Sequence, residues 1–119
     1  MATWTDAGAL AEFPEGEMSM VELGKHEVVV LRVGEDVYAL RNTCPHAAAK
    51  ICLGRVIPRI TAERPGPGVG TIASDAPVIT CPWHGWEFDP RDGTAIADPR
   101  MRLKTWPARI DDQRVLVEI

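Results

Sequence analysis

Two short segments of the chain each combine a cysteine with a histidine: Cys44-Pro45-His46 and Cys81-Pro82-Trp83-His84. Together they supply two thiolates and two imidazoles, the ligands of a binuclear iron-sulfur centre in which two histidines replace two cysteines on one iron. A structural zinc site normally takes its cysteines from one loop and its histidines from another. Because each segment here carries one of each, the pattern favours the iron-sulfur centre, with a Cys2His2 zinc site as the alternative.

The same segments carry the motif of a known family. C-x-H at 44–46, followed by C-P-W-H-G-W-E-F-D at 81–89, resembles the two sequence boxes of the Rieske ferredoxin family. This resemblance implies one [2Fe-2S] cluster of the Rieske type, with the two cysteines on one iron and the two histidines on the other. The implied ligands are Cys44, Cys81, His46 and His84.

Two further positions of the second box bear on the reduction potential. Hydrogen bonds from the protein to cluster sulfurs stabilise the reduced state and so raise the potential. High-potential members of the family place a serine and a tyrosine hydroxyl there, whereas the matching positions in this chain are Trp86 and Phe88. Since neither side chain has a hydroxyl, we expect a potential on the order of −150 mV.

Cys52 is the third cysteine. High-potential members of the family join their two cluster loops by a disulfide, but this chain has Trp83 where their second loop has its extra cysteine. No other cysteine remains once Cys44 and Cys81 are assigned to the cluster, so we expect Cys52 to be a free thiol.

Short apolar runs separated by turn residues predict an all-β fold. Residues 7–13 could form one short turn of helix, and no segment predicts a long amphipathic helix. Trp4 and Trp106 are expected in the core. The resemblance implies a Rieske-type antiparallel β-sandwich or barrel into which a cluster-binding subdomain of two loops is inserted. The predicted strands are 17–23, 27–33, 37–41, 103–110 and 115–119.

A chain of 119 residues fits one compact domain. We therefore expect a single domain over 1–119, with the cluster-binding subdomain at about 42–90. The 34 residues between His46 and Cys81 are about twice as many as soluble members of the family use. Because 65–70 reads Pro-Gly-Pro-Gly-Val-Gly, an extended loop is predicted at about 59–77. We favour a solvent-exposed insertion, with a partner-contacting or cluster-shielding loop as the alternative.

The N-terminal segment and the cysteines predict where in the cell the protein is found. Residues 1–13 include Asp6 and Glu12 and show neither a basic leader nor a long apolar run, so no secretory signal or membrane anchor is predicted. A reducing compartment suits thiolates held by iron. We therefore expect a soluble, cytoplasmic protein with no membrane and no nucleic acid among its partners.

The charge is unevenly distributed. Residues 1–40 hold 8 acidic and 2 basic side chains, whereas 41–119 hold 9 acidic and 11 basic ones, which together give the net charge of −4. Several cations after the second box could steer an acidic partner, although solvated surface charge is the simpler interpretation. These cations are Arg91, Arg100, Arg102, Lys104 and Arg109.

The number of histidines argues against an oxygenase. A mononuclear iron site needs two further histidines and a carboxylate, and only His26 remains, which we expect to be an ordinary surface residue. No G-x-G-x-x-G follows a strand, so no dinucleotide site is predicted. We expect an electron-transfer component of an oxidoreductase system, with no catalytic residues of its own.

The family resemblance implies a soluble one-electron carrier. Its donor would be a flavin-dependent reductase, and its acceptor the terminal oxygenase of an aromatic-ring hydroxylating dioxygenase system. The alternative is a fixed Rieske small subunit of a multi-subunit oxidoreductase such as a nitrite-reductase-like enzyme. That subunit family often lacks the cluster ligands, whereas this chain keeps all four.

Overall fold

Ten strands occupy the part of the chain that a computed structural model describes, namely residues 3–43, 50–51, 54–61, 71–82, 86–98 and 100–119. Their bounds are β1 Trp4–Ala9, β2 Met18–Leu23, β3 His26–Val33, β4 Asp36–Arg41, β5 Arg55–Thr61, β6 Thr71–Thr80, β7 Glu87–Phe88, β8 Thr105–Trp106, β9 Ala108–Asp111 and β10 Arg114–Glu118.

The strands form three antiparallel sheets, with the orders β1-β10-β9, β2-β3-β4-β8 and β5-β6-β7. A 3-10 turn at Leu10–Glu12 lies within the predicted helical turn. Nothing helical in those ranges is long and apolar enough to cross a membrane. The prediction of an all-β antiparallel fold is confirmed.

The second sheet is built on a meander of β2, β3 and β4, as the sequence predicted. Two-residue turns join the strands, and each turn begins with a glycine in the left-handed region, Gly24 at φ 64° and Gly34 at φ 61°. Tight hairpin turns need this backbone conformation, and residues with a Cβ rarely adopt it. The register Val29↔Leu40 places the apolar residues of β3 and β4 side by side.

Strand β3 is buried on both faces. Val28 and Val30 belong to a core cluster with Val115 and Val117 of β10. The side chains of β3 that point the other way, Val29 and Leu31, belong to a second cluster. That second cluster includes Ile79 of β6, Phe88 of β7 and Cys81. The meander sheet is therefore a middle layer between the sheet that contains the chain ends and the sheet that leads into the second box.

The structure corrects the predicted loop at 59–77. Strands β5 and β6 pair from Arg55↔Thr80 to Thr61↔Thr71, so 59–61 and 71–77 are strand. Their register shifts between Ile57 and Arg59, and Pro58 lies at this irregularity. A bulge is where a strand tolerates proline, which has no N–H to donate. Residues 62–70 lie outside the described residues, and the division into domain and subdomain stays a prediction.

Both ends of the chain also differ from expectation. Residues 4–9 form a strand, β1, which pairs with β10 and was not predicted. Trp4 is 39% exposed, so its assignment to the core was wrong. Its ring lies 4.3 Å from the guanidinium carbon of Arg109, a cation-π contact. The predicted strand 103–110 is two short strands, β8 and β9, separated by Pro107.

A tight turn after β7 ends the second box. The N–H of Gly93 donates to the carbonyl of Asp89 at 2.7 Å, and the N–H of Leu103 donates to the carbonyl of Gly93 at 2.8 Å. Gly93 has φ 81°, and a Cβ at this position would overlap the carbonyl oxygen of Leu103. Both the conformation and the close approach therefore require glycine.

Gly93→Ala should destabilise the protein more than Gly34→Ala. Both residues lie in the left-handed region, but a Cβ on Gly34 meets no atom within 4 Å. We expect a loss of about 1–2 kcal/mol for Gly34→Ala and of about 2–5 kcal/mol for Gly93→Ala, which adds overpacking. Denaturant unfolding of both variants measures the difference, and equal losses would show that the turn moves away from Leu103 without cost.

Candidate metal centre

The second box begins at the end of a hairpin. Strands β6 and β7 pair at Ile79↔Phe88 and Thr80↔Glu87. The N–H of Cys81 then donates to the carbonyl of Trp86 at 2.7 Å, which continues the pairing by one residue. A backbone hydrogen bond therefore fixes the chain on both sides of 82–85, the part of the box that contains His84.

Cys81 is the predicted ligand that the structure describes. It is 2% exposed and belongs to the second core cluster, between the meander sheet and the sheet of β5, β6 and β7. The partly buried side chain of Trp86 packs against the same cluster. Cys81 therefore lies in apolar surroundings, which suit a sulfur ligand. The other predicted ligands and the expected free thiol lie outside the described residues; they are Cys44, His46, His84 and Cys52.

The first box is bracketed by two residues that share one carboxylate. Asn42 Nδ2 donates to Glu27 Oε1 at 3.2 Å, and Lys50 Nζ donates to the same oxygen at 2.7 Å. The N–H of Asn42 also donates to the carbonyl of Glu27 at 3.1 Å. Since Asn42 precedes the segment 44–49 and Lys50 follows it, these contacts hold both of its ends. We call Glu27, Asn42 and Lys50 the Glu27 clamp.

The clamp favours an ionised carboxylate. The hydrogen bonds from Lys50 and then from Asn42 lower the pKa of Glu27 below its ordinary value of 4.5, because they stabilise the charged form. Both members of the ion pair are substantially exposed, so solvent screens their attraction. Sequence analysis missed Glu27, because its partners lie 15 and 23 residues further along the chain.

The structure brings the two boxes together through their flanks. Ile51, which follows the clamp, is fully buried in the same core cluster as Cys81. The N–H of Arg55 donates to Thr80 Oγ1 at 3.0 Å. A Cβ on Gly54 would overlap the carbonyl oxygen of Thr80, so glycine is needed for this close approach. The chain after the first box therefore lies against the residue that precedes Cys81.

Asp89, the last residue of the second box, has a structural partner. Its carboxylate accepts hydrogen bonds from Arg91 Nε at 3.0 Å and Arg91 Nη2 at 2.7 Å, and from the Arg91 N–H at 2.9 Å. The side chain of Asp89 is largely buried, and this forked ion pair compensates for its loss of water. The same contact raises the pKa of Arg91, which stays charged.

Known proteins resemble the chain along nearly its whole length. The family model described as the Rieske [2Fe-2S] domain matches residues 3–107. The ferredoxin component of the naphthalene 1,2-dioxygenase system of Pseudomonas aeruginosa is 32% identical over 98% of this chain and 95% of its own length.

Two solved structures share the fold. The ferredoxin of carbazole 1,9a-dioxygenase from Nocardioides aromaticivorans IC177 has a TM-score of 0.76 and 26% identity, covering 98% of this chain and 97% of that one. A Mycobacterium tuberculosis protein, considered to be the small subunit of an NADH-dependent nitrite reductase, has a TM-score of 0.79 and 24% identity. The match covers 100% of this chain and 96% of the Mycobacterium tuberculosis protein. At that identity the second similarity shows the fold alone.

Glu27→Gln should loosen the flanks of the first box. The variant loses the ion pair with Lys50, so we expect amide hydrogen exchange at Asn42 and Gly54 to accelerate about two- to five-fold. The clamp is present above pH 4.5 and is lost as the pH falls through the lowered pKa of Glu27, so acid should lower the protection factors of the same amides in the unsubstituted protein.

Glu22→Gln is the matched control. Glu22 is exposed and lies opposite Glu27 on β2, so the variant makes the same change in charge next to the clamp without touching it. Equal acceleration in both variants would mean that charge on the sheet, rather than the clamp, protects these amides.

Proposed function

Because the chain belongs to the Rieske [2Fe-2S] domain family, we propose that it works as a one-electron carrier of the ferredoxin type. The supporting observation is its similarity, over nearly the full length of both chains, to the ferredoxin component of a dioxygenase system. Electron carriers of this size act between two other proteins. This chain would therefore be the electron-transfer component of an oxidoreductase system, without chemistry on a substrate.

We propose Cys44 and Cys81 as the ligands of one iron, and His46 and His84 as the ligands of the other. Two sulfur and two imidazole donors, one of each from two adjoining boxes, are the donor set that this cluster type requires. The [2Fe-2S] cluster supplies the one-electron chemistry when it is bound. The residues around the boxes contribute position: the hairpin base holds Cys81, and the Glu27 clamp holds the chain on either side of 44–49.

The electron donor would be a flavoprotein reductase, and the acceptor a terminal oxygenase. Similarity to the ferredoxin component of a naphthalene dioxygenase system supports an acceptor of the aromatic-ring hydroxylating dioxygenase type. Each partner would be met transiently through a small interface, because a carrier must leave one to reach the other. The cytoplasm stays our proposed location, since a reducing compartment keeps thiolates available to iron.

A fixed small subunit of a nitrite-reductase-like enzyme is the competing function. Its structural support is a similarity in fold, and the complete set of four predicted ligands favours the carrier. The two functions differ in assembly: a carrier elutes alone in size-exclusion chromatography, whereas a fixed subunit purified from its own cells elutes with its enzyme.

The purified protein should be red-brown, hold two irons per chain and bleach when dithionite is added. Cys81→Ser should lose the colour and the iron, because it removes one of four proposed ligands. Cys52→Ser is the matched control and should keep both. Visible spectra with iron and zinc assays on the three proteins test the ligand assignment. A colourless protein with one zinc per chain would replace the carrier with a structural module.

The midpoint potential should lie near −150 mV, with one electron taken up per chain. Phe88 is fully buried in the core cluster that contains Cys81, and Trp86 packs against that cluster. Neither side chain has a hydroxyl to donate to a cluster sulfur. Potentiometric titration followed by visible absorption gives both the potential and the electron count. A midpoint well above zero would mean that another donor replaces the missing hydroxyls.

A further inference from the structure

Most of the cations that follow the second box are neutralised by nearby carboxylates. Arg91 pairs with Asp89 at 2.7 Å, and Arg100 pairs with Asp98 at 3.0 Å. Arg109 lies 3.8 Å from Asp111. The remaining arginine of the set, Arg102, donates to the carbonyl of Asp92 at 3.2 Å. Lys104 is thus the member of the group without a carboxylate or carbonyl contact in the described parts of the chain.

Lys104 lies opposite another cation. The N–H of Arg41 donates to the carbonyl of Lys104 at 2.8 Å, which extends the pairing Leu40↔Thr105 by one position. Neither side chain forms an ion pair with a carboxylate that the structure describes. Like charges at opposite positions of neighbouring strands repel and destabilise a sheet. This pair therefore has an energetic cost in the isolated protein.

Two more cations surround the same place. A pocket of about 180 Å³ beside Arg41 is lined by Lys25, Lys50 and the ring of Trp106. Lys104 Nζ lies 5.9 Å from the centre of that ring. The carboxylate in the lining belongs to Glu27, which already pairs with Lys50. We call Lys25, Arg41, Lys50 and Lys104 the basic patch.

The basic patch adjoins the first box. Thr43, which directly precedes Cys44, also lines the pocket, and Lys50 directly follows the segment 44–49. The patch thus surrounds the point where the chain enters and leaves the segment that carries two of the proposed ligands. It is a local excess of positive charge on a chain whose net charge is −4.

We propose that the basic patch is the docking surface for an acidic face of a protein redox partner. The inference rests on the proposed function. An acidic partner would relieve the repulsion between Arg41 and Lys104 and would be steered to the first box, which carries two of the four proposed ligands. The four cations come from a turn, two strand ends and the flank of the box, a spread that fits a protein surface better than a small anion.

Electron transfer to haem proteins of opposite charge tests the proposal. The reduced protein gives one electron to the ferric haem of cytochrome b5, which is acidic, or of cytochrome c, which is basic. The second-order rate constant with cytochrome b5 should fall as NaCl is added. Arg41→Gln combined with Lys104→Gln should lower it at least about five-fold at low ionic strength, and the difference should vanish at about 0.5 M NaCl. With cytochrome c the same double variant should be as fast or faster.

Arg100→Gln combined with Arg114→Gln is the matched control. It also removes two positive charges, from side chains paired with Asp98 and Asp6 away from the patch. It should leave the rate with cytochrome b5 nearly unchanged. Visible spectra and melting temperatures confirm that both double variants are folded and loaded.

Three outcomes would overturn the proposal. Equal losses in the two double variants would assign the effect to net charge. No loss in the patch variant would remove the docking role. Inhibition by inorganic phosphate far beyond that of NaCl at equal ionic strength would make the patch a small-anion site. A protein that reduces neither cytochrome would instead contradict the proposed function itself, and the docking role with it.

Discussion

Burial of β3 on both faces is the constraint on which the rest of the structure depends. Four consecutive residues, 28–31, are fully buried, so the strand is a continuous apolar run instead of an alternating one. One face needs the sheet that contains the chain ends, and the other needs the sheet that leads to Cys81. The two halves of the molecule are therefore held to the same strand, and neither can cover it alone.

Charged side chains follow directly where this buried run ends. Two of them take part in the features described above, the Glu27 clamp and the basic patch. Glu27 is the last residue before the run on β3, and Arg41 is the last residue of the neighbouring β4. Glu27 holds the flanks of the first box, and Arg41 belongs to the basic patch.

The two boxes are held in place by different contacts. A backbone hydrogen bond positions Cys81, whereas an exposed carboxylate holds the ends of 44–49. We therefore expect acid and salt to loosen the flanks of the first box before the hairpin base that holds Cys81.

What could be predicted from the sequence depended on how local the signal was. The meander followed from short apolar runs separated by turn residues, all within 25 positions. Strand β1 could not be found this way, because it pairs with β10 at the other end of the chain. The proline- and glycine-rich stretch 65–70 indicated a loop over 59–77, but β5 continues to Thr61 past the bulge at Pro58, and β6 begins at Thr71. The cysteines and histidines predicted a metal site by their types and spacing. No local pattern indicated the role of Glu27, because its partners lie far along the chain.

The ion pairs of the surface could also be predicted only where both partners lie close together in the sequence. Arg91, Arg100 and Arg109 each lie two positions from the aspartate that pairs with them, so their neutralisation could have been inferred from the D-x-R and R-x-D patterns. The meeting of Arg41 with Lys104 could not, because it depends on β8 pairing with β4 across 63 intervening positions. A count of cations by segment therefore places the positive charge at the wrong residues. The sheet topology, rather than the composition, places Arg41 and Lys104 opposite each other next to the first box.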